Sequence, residues 1–77
     1  MAFIKHFSKS TMTRNSLHDE IEAKYAIFEY DDRTLVQIDS FGRSTREIPG
    51  KKSQTIQLDR NSGAQLYKIL KEAFHFT

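Results

Sequence analysis

Cysteine is absent from the chain, which excludes a disulfide framework and any thiolate-bound zinc site. Glycine occurs only at Gly42, Gly50 and Gly63, a spacing that makes neither a phosphate loop nor a dinucleotide fingerprint, so these read as turn and cap residues. No apolar run approaches the ~18 residues of a membrane-spanning helix, and the opening MAFIKHFSKS has no signal-peptide apolar core, so a cytoplasmic protein without a membrane partner is expected. The histidines, His6, His18 and His75, lie far apart with no ligand spacing between them, and no metal or cofactor is expected. Asp31-Asp32 is an adjacent acid pair of the kind that serves backbone hydrogen bonds in a turn. Ser16 and His18 fall in a segment without a rigid scaffold, as a nucleophile and its base would require. The chain is read as non-catalytic.

What is present is one small domain of 77 residues, 38% hydrophobic and 29% charged, as in a globular chain rather than a disordered one. A core of this size supplies only about 3–5 kcal/mol, so a homodimer that buries further surface is expected. The net charge is +2, but its distribution says more. Residues 1–18 carry Lys5, Lys9 and Arg14 and no acid; residues 19–39 are mostly acidic; residues 40–60 return to basic through Arg43, Arg46, Lys51, Lys52 and Arg60.

Residues 1–20 are rich in Ser, Thr and Asn without a sustained period and read as a flexible, basic arm, with a short strand through Phe3, Ile4 and Phe7 as the alternative. Residues 21–77 read as one sheet-and-helix domain. A β-branched and aromatic run from Glu22 to Tyr30, the turn pair Asp31-Asp32 and a second run from Thr34 to Phe41 predict a hairpin. In the second strand Val36 and Ile38 share one face, while Leu35, Gln37, Asp39 and Phe41 share the other. A long basic connection with a Pro49-Gly50 turn follows, and its middle has the pattern of a short strand through Thr45, Glu47 and Ile48. Ser53 to Leu58 then alternates, predicting a strand with Ile56 and Leu58 inward and Thr55 and Gln57 outward. Asp59 can cap the next element, and Ser62-Gly63-Ala64-Gln65 offers a second cap. Leu66, Ile69, Leu70, Ala73 and Phe74 recur at helical spacing and predict an amphipathic helix whose apolar stripe covers the sheet.

One constellation carries chemistry. Tyr25, Phe28, Tyr30 and Phe41 lie on strands next to Arg33, Arg43, Arg46, Lys51 and Lys52, and aromatic rings beside cations are how single-stranded nucleic acid is held, bases on rings and phosphates on Lys and Arg. The plainer reading of the same residues is strand aromatics in a core beside a solvated basic loop.

Leu35-Val36-Gln37-Ile38-Asp39-Ser40-Phe41, then Pro49-Gly50-Lys51-Lys52, then Ile56-Gln57-Leu58-Asp59 leading to Gln65-Leu66 resembles the single-stranded DNA-binding domain of the positive cofactor four family of transcriptional coactivators. The likeness spans roughly residues 23–76. It implies an α+β fold, a curved antiparallel four-stranded sheet followed by one C-terminal helix, dimerising through the helices and carrying single strands on the sheets. Phe41 matches an aromatic position at a strand end, and Lys51 and Lys52 match a basic pair. Asp39, Gly42 and Ile48 differ from the family pattern, which has a basic residue, a tryptophan and a lysine there.

Both lines lead to a small non-catalytic binder of single-stranded DNA or RNA, acting in transcription, replication or repair through Phe41, Arg43, Arg46, Lys51, Lys52, Tyr30 and Arg33. No helix offers the basic face of a major-groove reader, and no base-specific readout is expected. The competing expectation is a protein-interaction module, an accessory subunit of a larger complex.

Overall fold

The computed structural model describes residues 1–42 and 54–77. β2 (Glu22–Tyr30) and β3 (Arg33–Phe41) form the expected hairpin, in register from Glu22↔Phe41 to Tyr30↔Arg33. Its two-residue loop is Asp31-Asp32, and both residues have positive φ, 51° and 61°. A tight hairpin needs that left-handed geometry to match the strand twist, and Asp tolerates it better than most side chains. β4 (Gln54–Leu58) lies antiparallel to β3 with Val36↔Leu58, Ile38↔Ile56 and Gln37↔Gln57 facing each other.

The fourth strand of the sheet is β1 (Ala2–Ile4), and this corrects two expectations. The first residues, read as an arm, include an edge strand through Phe3 and Ile4, and that strand runs parallel to β4, pairing Ala2↔Ile56 and Ile4↔Leu58. The sheet is therefore mixed, in the order β1-β4-β3-β2, rather than antiparallel throughout. The exposed edge of β4 needs partners for its backbone groups, and a short apolar segment supplies them. Residues 5–21 form neither helix nor strand. The strand anticipated through Thr45, Glu47 and Ile48 lies outside the described residues.

The helix α1 (Arg60–Phe74) starts on Asp59 rather than on the second cap. The Ser62 backbone N–H donates to Asp59 Oδ1 at 2.9 Å, and the Asp59 N–H donates to Ser62 Oγ at 3.0 Å, so two otherwise unpaired donors are satisfied reciprocally. That first turn is tied to the chain after β1. Phe7 N–H donates to Gln65 Oε1 at 2.9 Å, Gln65 Nε2 donates to the Lys5 carbonyl at 3.3 Å, and Lys5 Nζ lies 3.5 Å from Asp59. The helix ends at His75, which takes a left-handed conformation with φ 58°, while Phe76 N–H donates to the Lys71 carbonyl at 3.1 Å. The His75 N–H donates to the same carbonyl, and the two bonds satisfy a group that the last turn would otherwise leave open.

Packing is thin. Leu35 and Leu58 are the buried hydrophobic residues among those described. The helix touches β3 and β4, but its apolar stripe is not covered as expected, because Ile69, Leu70 and Phe74 remain exposed, Phe74 at 63%. The radius of gyration, 14.6 Å, exceeds the roughly 11.5 Å of a compact chain of this length. No helix among the described residues is long and apolar enough to cross a membrane.

Candidate nucleic-acid interface

Strand register sorts the side chains into two chemically different faces, because alternate residues on each strand point to opposite sides. Val36, Ile38, Ile56 and Leu58 share one face with Ile27 and Tyr25 of β2 and with Ile4 of β1. That face is apolar, and near its Val36–Leu58 end an open groove of ≈ 880 Å³ runs along the first helical turn at Arg60, Asn61 and Gly63. Ile27 and Tyr25 stay exposed at 65% and 74%.

The other face combines rings, cations and amides. Phe28 and Tyr30 of β2 lie across from Leu35 and Arg33, and Phe41 ends β3 on the same side. Lys24 faces Asp39 and reaches diagonally to Phe41, its Nζ 5.6 Å from the ring centroid. At the far edge Phe3 sits beside Gln57 and receives two cations, Arg33 Cζ at 5.4 Å and Lys5 Nζ at 5.3 Å from its centroid. Distances within about 6 Å are attractive between a cation and a ring face, so the basic groups are held on this face.

A row of polar groups runs between the rings. Asp39, 8% exposed, accepts from the Thr55 hydroxyl at 2.8 Å and from Gln37 Nε2 at 3.1 Å, and Gln57 Nε2 donates to Gln37 Oε1 at 3.0 Å. Thr55, expected to point outward, is buried with Asp39, because a carboxylate leaves water cheaply only when hydrogen-bonded. The acidic block of the sequence is dispersed by the fold. Asp39 is drawn into this row, Glu22 lies at its end opposite Phe41, Glu29 points to the other face, and Asp31 and Asp32 occupy the hairpin tip.

Of the residues singled out from the sequence, Tyr30, Arg33 and Phe41 fall on the aromatic face together with Phe28, whereas Tyr25 falls on the apolar one. Arg43, Arg46, Lys51 and Lys52 lie outside the described residues. The sequence reading missed Phe3, Lys24 and the two glutamines. Lys24 was accessible by counting in twos from Phe28 and Tyr30, while Phe3 was accessible only through the alternative strand reading of the first residues.

The Asp59 carboxylate is held below its ordinary pKa, first by the Ser62 backbone N–H donated to it, against some desolvation, and further by the Ser62 hydroxyl and the Lys5 ammonium. This is mainly a helix-cap effect, and Lys5, 3.5 Å from Asp59 and 5.3 Å from the Phe3 ring centroid, links the cap to the aromatic face. Among the described residues no group of three His, Asp or Glu side chains is placed to hold a metal ion. No family model, no curated protein and no solved structure matches the chain.

Proposed function

We propose that the protein binds single-stranded nucleic acid without catalysing a reaction, and that it does so as a homodimer. The observation that carries this reading is the segregation of Phe3, Phe28, Tyr30 and Phe41 onto one sheet face with Lys5, Lys24 and Arg33 set against or beside their rings. Rings on a sheet face, Tyr30 exposed and Phe3, Phe28 and Phe41 half-buried, offer bases a surface to stack on, and the cations neutralise the phosphates that follow. Lys51 and Lys52, as the likeness to the positive cofactor four family implies, and Arg43 and Arg46 beside them extend the positive charge along the chain from Phe41. A duplex hides its bases and gains nothing from such rings, so single strands are preferred. A binder of this kind would act in transcription, replication or repair, and the proposal takes it to do so in the cytoplasm.

The dimer rests on a different observation. Two buried leucines among the described residues are a small core, while Tyr67, Ile69, Leu70, Phe74 and Phe76 leave an exposed apolar helix surface of the kind that marks an interface. A second copy covers it symmetrically. The same surface supports the second reading, in which a different protein occupies it and the chain is an accessory subunit.

Fluorescence anisotropy of labelled single-stranded and duplex oligonucleotides, at low and moderate salt, tests the proposal. Salt-sensitive binding that favours the single strand is expected. Absence of binding at low salt refutes it and leaves the accessory subunit. Light scattering of the purified chain tests the dimer, and a mass equal to one chain at high protein concentration removes it.

A further inference from the structure

Resting on the dimer reading above, we infer that the rings of Phe74 and Phe76, at the end of α1, dock into the groove beside the first helical turn of a second copy, which returns the same contact. The helix cap builds the knob. His75 takes a left-handed backbone, φ 58°, and turns the chain so that Phe76 lies against Phe74, ring centroids 5.6 Å apart and tilted by 34°. The Phe76 N–H, 3.1 Å from the Lys71 carbonyl, fixes that return. Both rings stay exposed, at 63% and 57%.

The receiving groove, ≈ 880 Å³ and open, has Thr34, Val36 and Leu58 of the sheet along one side and Arg60, Gly63 and Ala64 of the helix along the other. Val36 pairs with Leu58 on one flank and with the exposed Ile27 on the other, so an apolar row continues out of the groove across the sheet. The helical side is made of small residues, and a Cβ placed on Gly63 would meet nothing within 4 Å. Room for a ring therefore lies against the helix itself. The charged residues at the groove balance, Asp32 and Asp59 against Arg33 and Arg60, so an apolar knob flanked by Lys71 and His75 meets no opposing net charge.

Helix length identifies the occupant as a second copy. At 1.5 Å per residue, Phe74 stands about 21 Å along a straight helix from Arg60, and no side-chain rotation brings its ring back to the groove of its own chain. Two copies with their helices antiparallel about a two-fold axis solve this for both chains at once. Each Phe74 then reaches the partner's first turn, while Tyr67, midway between Arg60 and Phe74 and 64% exposed, lies at the axis. Each aromatic side chain can bury about 150–250 Å², so Tyr67, Phe74 and Phe76 with Ile69 and Leu70 supply roughly 500 Å² per chain. The groove walls add to that, toward the about 800 Å² per partner of a stable interface. One arrangement thus covers the rings, the helix stripe and the groove.

The test is sedimentation equilibrium over a dilution series of the wild-type chain, Gly63→Leu, Phe74→Ala and the double variant. Gly63→Leu fills the groove from inside without meeting its own chain, and its far-ultraviolet circular dichroism should match the wild type. Each single variant is expected to raise the dimer dissociation constant by about tenfold or more. The double variant should raise it no further than the stronger single one, because both remove one contact. A second measurement needs no variant: in a 15N correlation spectrum the Thr34 and Val36 amides, on the sheet side of the groove, should shift as the wild-type dimer is diluted to monomer. A Gly63→Leu dimer as tight as the wild type, single effects that multiply, or Thr34 and Val36 amides that stay still while the dimer dissociates would overturn the groove contact and leave the dimer standing. A wild-type mass of one chain at every concentration overturns the dimer, and the groove contact with it.

Discussion

Removing Lys24 and Arg33 together measures whether the aromatic face meets phosphates. Both cations lie on that face, one 5.6 Å from the Phe41 ring and the other 5.4 Å from the Phe3 ring, so a strand stacked there passes both. Each phosphate contact on a single strand contributes about 0.7 to the slope of log affinity against log salt, so the double variant Lys24→Ala, Arg33→Ala should flatten the slope by about 1.4. Between about 50 and about 200 mM salt the wild type should then lose roughly sevenfold more affinity than the variant, since a fourfold salt change raised to that power gives that ratio. The assay is an anisotropy titration at four salt concentrations, with Lys68→Ala, Lys71→Ala on α1 as the control. An unchanged slope in the strand variant refutes the assignment. An equal loss in the helix variant also refutes it, because diffuse charge rather than this face would then be responsible.

The other predictions concern the fold and the dimer. Leu70→Glu with Phe74→Glu places charge on the exposed helix stripe and should reduce the light-scattering mass to one chain while the far-ultraviolet spectrum keeps its helix signal. Leu35→Ala, at a position 5% exposed, should cost about 2–5 kcal/mol, comparable to the whole core, so urea unfolding followed by circular dichroism should show a largely unfolded chain; a loss under about 1 kcal/mol would contradict the packing. Asp32 has φ 61°, so Asp32→Gly should raise the urea midpoint by up to about 1 kcal/mol of stability, and Asp32→Val should lower it. Because the folded Asp59 carboxylate titrates below its ordinary 3.8, its stabilising contribution is present above the unfolded pKa and is lost as pH falls through the folded value. Melting temperature should therefore drop on acidification below about pH 4, and less steeply in Asp59→Asn, which keeps the capping acceptor.

Several features of the candidate site were legible before any tertiary contact. Alternation placed Leu35, Gln37, Asp39 and Phe41 on one face and Val36 and Ile38 on the other, as the β3 register shows. The assignment of faces to core and solvent was less legible. Leu35, Asp39 and Thr55 are buried on the face that also carries the rings, while Ile27 and Tyr25 on the apolar face are exposed. Polarity alone could not anticipate this, because the Thr55 hydroxyl that joins Gln37 in hydrogen-bonding Asp39 reaches it through the β3–β4 pairing, while Gln37 is its neighbour two residues along the same strand.

The sequence by itself determined what depends on near neighbours. The Asp31-Asp32 loop follows from two residues that tolerate a left-handed backbone between β-forming runs, the helix start is narrowed to the two caps Asp59 and Ser62, three residues apart, and the two-residue repeat of each strand is a property of extended backbone. Only the tertiary structure decided which distant segments meet. Ala2–Ile4 joins β4 more than fifty residues away and turns an antiparallel sheet into a mixed one, Phe3 thereby comes to Gln57, and Gln57, Gln37 and Asp39 fall into one row. It also decided that the helix stripe, read from its period as a cover for the sheet, remains exposed at Ile69, Leu70 and Phe74. Period identifies an apolar face, but what lies against that face depends on the docking of elements that share no local sequence.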